Sequence, residues 1–132
     1  EEEEVADGEE DLQAIRNLKY YDVDAESGVL TLEKENLVPN NGEIQLGFTI
    51  PRDTDYWFTI EIKSELSELA QLPISLYIDN LYRHTFSFRG TNGECAEQTI
   101  DLGLIKTKNH FLKLVMQGNG LEVQKIVVGI KS

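Results

Sequence analysis

The chain of 132 residues holds a single cysteine, a single tryptophan, a single methionine, three prolines and two histidines. Cys95 alone excludes an internal disulfide and any cysteine-rich metal cage, and so leaves the redox compartment open. No apolar run approaches the roughly 18 residues that a membrane span requires, so membrane insertion is not expected, and these residues are not expected to include a signal peptide. A stripe of Lys and Arg is also missing, and the acidic balance argues against nucleic acid as a partner. The motifs of common enzyme classes are absent as well: there is no G-x-S-x-G, no H-E-x-x-H, no P-loop and no G-x-G-x-x-G.

The net charge of −12 is concentrated at the start of the chain. Eight of the 24 acids lie within Glu1 to Asp11 without a single base; the other 16 face 12 bases, a balance of only −4. Such a block cannot bury apolar area to offset its ordering entropy, so residues 1–13 are expected to be an acidic linker or tether. Residues 14–132 are then expected to form one domain, long enough to bury a core.

Within that domain, short alternating or β-branched runs are separated by Gly, Asn, Asp and Pro. They fall near 19–24, 28–32, 43–50, 56–63, 73–79, 83–88, 97–102, 110–116 and 121–130. In EIQLGFTI, the residues Ile44, Leu46, Phe48 and Ile50 share one face; in YWFTIEIK, Tyr56, Phe58, Ile60 and Ile62 do the same. Turns are expected at 39–42 and 51–55. HFLKLVM has apolar residues on both parities, which implies a strand covered on both faces or twisted past a bulge. The fold class is therefore all-β: a single β-sandwich of about nine strands with at most one or two short helical turns. The helical candidates are residues 12–18 and residues 64–72, the second with Ser64 as N-cap and Leu66, Leu69 and Ala70 at helical spacing, or else a structured loop.

Residues that bear chemistry are sparse. Cys95 with His84 and His110 could act together only if the fold united distant strands, and no spacing selects a carboxylate pair. Acids alternate at Asp22, Asp24 and Glu26, and Asp53 and Asp55 share a turn; either place offers oxygens to calcium, or is a solvated strand face and a self-capping turn. Trp57 and Tyr77 have outward parity in their strands, so each ring is either stacked on a ligand or packed under the 64–72 segment. Tyr82, Arg89, Asn92, Gln117 and Asn119 add stacking and hydrogen-bonding capacity in loops. Aromatic plates bordered by Asn, Gln or Arg suit sugars, whose flat C–H faces are rimmed by hydroxyls.

Taken in order, VDAESGVL, FTIPRDTDYWFTIEI, ISLYIDNLY and TIDLGLIKTKNHFLKLVMQGNGLEVQKIVV resemble the jelly-roll carbohydrate-binding modules of families 6 and 35 over residues 20–130. Asp24 and Glu26 match the opening acids, Asp79-Asn80 the turn after a strand, and Lys108, Asn109 and Leu112 a G-x-N-x-I element in which Lys108 replaces Gly. The resemblance implies a noncatalytic, carbohydrate-binding module, secreted or at the cell surface, monomeric, and joined to neighbouring domains of a larger protein. It implies a sugar site drawn from Trp57, Tyr77, Tyr82, Arg89, Asn92 and Asn119, and a structural calcium at Asp24 and Glu26. The alternative is a structural or protein-interaction β-sandwich of a multidomain protein, and an enzyme stands third.

Overall fold

The computed structural model of the chain describes residues 18–106 and 108–131. The acidic segment and nearly all of the helical candidate 12–18 lie outside the described residues. Nine strands follow in order: β1 Tyr20–Asp22, β2 Val29–Glu33, β3 Glu43–Thr49, β4 Thr54–Ser64, β5 Gln71–Ile78, β6 Leu81–Arg89, β7 Cys95–Ile105, β8 Asn109–Met116 and β9 Leu121–Ile130. Each expected run is a strand, and the one helical element among the described residues is a 3-10 turn at Lys34–Asn36. No helix among them is long and apolar enough to cross a membrane.

The strands form a five-stranded sheet of order β1-β3-β8-β5-β6 and a four-stranded sheet of order β2-β9-β4-β7. All pairings are antiparallel except β1 with β3. The alternation read from β3, β4 and β5 holds: Ile44, Leu46, Phe48, Tyr56, Phe58, Ile60, Ile62, Ile74, Leu76 and Ile78 all point into the space between the sheets and are buried. β6 adds Phe86 and Phe88, whose rings lie 6.1 Å apart, and Phe86 also meets Phe58 across the core at 5.9 Å. Burying each such side chain contributes about 1.5–3 kcal/mol.

Bulges adjust the alternation. A register shift at Glu61/Ile62 lets β9 direct both Val123 and Ile126 inward, which strict period-two spacing forbids. β8 is the middle strand of its sheet, with Leu112 and Leu114 inward and fully buried; Phe111 faces outward and is still 8% exposed only. That residue explains the apolar content of both parities in HFLKLVM. Tyr56 is enclosed in the core, its hydroxyl donating to the Arg52 carbonyl at 2.8 Å and so pinning the 51–53 turn. Burial raises its phenol above the ordinary value.

The 64–72 segment is a loop rather than a helix. Ser64 does not cap a helix; its hydroxyl donates to the Gly120 carbonyl at 2.6 Å and accepts from Leu66 N at 3.1 Å. The Leu66 carbonyl accepts instead from Asn92 N at 2.9 Å, a long-range partner in place of a helical one. Gly90 seats beneath this loop so closely that a Cβ there would run into the carbonyls of Ser67 and Leu66.

Candidate functional site

β5 and β6 are joined by the two-residue turn Asp79-Asn80, both with left-handed φ of 56° and 66°. Asp and Asn tolerate this conformation better than other non-glycine residues, and it matches the twist of a tight hairpin. This turn sets Tyr77 opposite Tyr82, and a bulge at Leu76/Tyr77 then shifts the register so that Leu76 meets His84. Since Leu76 and Ile78 are inward, Tyr77 faces out from the five-stranded sheet, and the two rings meet edge to face at 5.8 Å and 71°. Tyr82 is 58% exposed. Its hydroxyl shares a hydrogen bond with Thr85 at 2.8 Å, and Thr85 shares another with Ser75 at 3.1 Å. Lys113, opposite Tyr77 on β8, holds its ammonium 5.0 Å from the Tyr77 ring centre.

Tyr82 also borders a cleft of about 400 Å3 between the β5–β6 hairpin and the loop from β7 to β8, whose walls include Asp79, Leu81, Arg83, Leu104, Lys106 and His110. A hydrogen-bond set fixes those walls. Asp79 Oδ2 lies 2.8 Å from His110 Nδ1, Asp79 Oδ1 accepts from Phe111 N at 2.9 Å, and His110 Nε2 lies 2.8 Å from the Lys106 carbonyl. The imidazole stacks on Phe48 at 5.4 Å. Arg83 Nη1 donates to the Leu102 carbonyl at 3.1 Å, tying the edge of one sheet to the edge of the other.

Tyr77 and Tyr82 are thus brought together, and the packing of Tyr77 under the 64–72 segment is corrected: that loop lies at the other end of the sandwich. Arg89, Asn92 and Asn119 lie at that other end too. Arg89 is seven residues from Tyr82 along β6, about 23 Å at strand rise. Asn92 and Asn119 occupy the loops after β6 and β8, so these three cannot orient a single sugar stacked on Tyr82. The loops of that end, 34–42, 65–70, 90–94 and 117–120, contain no aromatic residue. Trp57 is outward, as its parity requires, but on the four-stranded sheet. Its indole covers Gly129, its cross-strand neighbour, and leaves no room for a Cβ there. Its cover is thus β9 rather than the 64–72 segment.

The acids at 22–26 do not form an extended ladder, because β1 ends at Asp22 and residues 25–27 form a turn. Asp24 Oδ2 accepts from Ser27 N at 2.7 Å and from Glu26 N at 3.1 Å, and the bonds to Ser27 hold its carboxyl below the ordinary value. Arg52 Nη1 reaches the Ala25 carbonyl of the same turn at 3.4 Å. Among the described residues no group of three or more His, Cys, Asp or Glu is gathered for a metal. Asp24 thus caps its own turn, the alternative to calcium that the sequence offered for these acids. Cys95 is exposed at the start of β7, at the end away from His110, so those residues are not united either.

No protein-family model matches the sequence, and no curated protein sequence matches it. Solved structures do match its fold. A β-glucosidase from Paenibacillus barengoltzii aligns with a TM-score of 0.67 at 20% identity over 88% of this chain and 12% of that one. The C-terminal family 6 carbohydrate-binding module of the laminarinase LamC from Zobellia galactanivorans aligns at 0.59 and 15% identity, over 76% of this chain and 98% of the module. A family 6 module of lichenase 5A from Cellvibrio mixtus, solved with cellotriose, aligns at 0.56 and 11% identity, over 78% and 98%. Modules of families 35 and 36 are similar as well. The fold is that of a carbohydrate-binding module, a jelly-roll β-sandwich, and the resemblance seen in the sequence holds in three dimensions. The chain spans about an eighth of the β-glucosidase and nearly the whole of either module.

Proposed function

We propose that the chain is a noncatalytic carbohydrate-binding module of a secreted or surface glycan-active protein, a monomer that directs its neighbouring domains to a polysaccharide or oligosaccharide. The observation that carries this reading is the exposed Tyr82, paired with the half-buried Tyr77 and bordering a cleft, on a fold shared with modules of that class. Tyr82 offers a face to the C–H side of a pyranose, Tyr77 braces it edge-on, and Arg83, Lys106 and Lys113 are the polar groups within the same neighbourhood. Affinity electrophoresis or calorimetry against a panel of plant, microbial and host glycans tests this. Tyr82→Ala is expected to weaken binding about tenfold or more, and Asn92→Ala with Asn119→Ala to leave it unchanged. Retention on no glycan of the panel overturns the reading.

The alternative, a β-sandwich that packs on a partner domain, draws support from the ring-free end, where Val38 is 73% and Leu69 84% exposed. It requires the isolated chain to self-associate through that end.

A further inference from the structure

We infer that the glycan taken at the Tyr82 end is anionic, its carboxylate or sulfate groups lying between Arg83 and Lys106 while the rings carry the sugar faces. This rests on the reading of the chain as a carbohydrate-binding module and narrows it to a ligand class.

The first observation is the distribution of charge. The described residues carry 16 acids and 11 bases, yet the cleft wall holds Arg83, Lys106 and His110 against one acid, Asp79. Asp22, Asp24, Glu26, Asp53 and Asp55 lie at the same end of the sandwich, on the 22–26 and 51–55 segments, but none of them lines the cleft. The second is that Asp79 is occupied: one oxygen faces His110 at 2.8 Å and the other accepts from Phe111 N at 2.9 Å. Each of its oxygens thus already holds one partner, which leaves it fewer acceptor sites for sugar hydroxyls.

Neutral sugars present hydroxyls that need acceptors as well as donors, and the usual supply is an unengaged carboxylate or amide. Here the side-chain hydroxyls of Ser75, Thr85 and Tyr82 bond to one another. Beside them stand the cations Arg83 and Lys106. Among the described residues no carboxylate lies within ion-pair distance of Arg83, Lys106 or Lys113. Arg83 is held at the cleft wall by its bond to the Leu102 carbonyl, which orients a planar fork suited to a carboxylate or sulfate. Leu81 and Leu104, 67% and 59% exposed, border the same cleft and lower the dielectric around its charges.

The test compares polymers that share a backbone and differ in charge: polygalacturonate against its methyl ester, and a sulfated galactan against its desulfated form. The intact chain is expected to bind at least one charged polymer about tenfold more tightly than its neutral counterpart, and the pair that differs identifies the anion. That binding should weaken as salt rises from about 0.02 to about 0.5 M. Lys106→Gln, whose ammonium makes no hydrogen bond among the described residues, should cost about tenfold without loss of thermal stability, and Arg83→Gln at least as much. Equal affinity for charged and neutral forms, or full affinity in the Arg83→Gln/Lys106→Gln double variant, overturns the anionic ligand. If Tyr82→Ala still abolishes binding in that case, the module reading stands; if no polymer binds, both fall.

Discussion

The two ends of the sandwich are closed by different means. At the end bearing Tyr82, the two-residue turn and the β7–β8 connection are held by side chains, with Asp79 and His110 bonded to each other, to Phe111 N of β8 and to the Lys106 carbonyl. At the opposite end, longer loops are held mostly by backbone: Asn92 N to the Leu66 carbonyl, Gly93 N to that of Ser64, and Gly90 N to that of Ala70. Where side chains serve as scaffold, the acid among them is engaged with its partners, and a ring and cations are left at the cleft. Where backbone serves, side chains are free to be glutamates and leucines, and a surface without a plate for stacking results. The position of a ligand site therefore follows from how each end is closed as much as from which residues it holds.

Gly90→Ala is the sharpest way to break that contrast. Its Cβ meets backbone carbonyls rather than a flexible side chain, so the 65–70 loop must leave its seat, at an expected cost of about 3 kcal/mol in urea unfolding. The surviving folded protein should keep the site at Tyr82; unchanged stability would mean that the backbone-built end is not closed as described. Asp79→Ala attacks the other end and should cost about 2 kcal/mol. His110→Ala should overlap with it, so that the double variant loses less than the sum of the two. Strict additivity would show that the pair does not act as one clasp.

The smallest effect is expected at Asp24. Its carboxyl is held below the ordinary value of 3.8, chiefly by the Ser27 N–H. A depressed folded-state value means that the carboxylate stabilises the fold above the ordinary value and loses that contribution as pH falls through the folded one. Asp24→Asn should therefore unfold slightly more easily at neutral pH and equal the parent in strong acid. A difference that persists in acid would contradict the turn-capping role.

Much of the fold was legible because one face of each strand is dry. Period-two burial wrote Ile44 to Ile50 and Tyr56 to Ile62 into the sequence, and the turn residues at 39–42 and 79–80 marked the corners. The loop at 64–72 was not legible: Leu66 and Leu69 have helical spacing, but the carbonyls of Ser64, Leu66 and Ala70 accept from residues twenty or more positions away. Tyr77 and Tyr82 were visible as candidate plates, yet their pairing follows from the exact length of the Asp79-Asn80 turn, which strand parity does not encode. Asp79 and His110 were noticed only as a turn residue and an isolated histidine, 31 positions apart. Their partnership exists through the register of β5 against β8. Grouping Arg89, Asn92 and Asn119 with the rings overlooked the length of β6, which separates them.

The tryptophan laid over Gly129 has a practical consequence. As the chain's sole indole, it dominates the ultraviolet emission, and it sits on the sheet that does not carry Tyr77 and Tyr82. Its fluorescence is a gauge of whether β4 and β9 remain paired, and is nearly blind to what the tyrosines hold; a titration followed by that signal alone would miss a ligand that is bound.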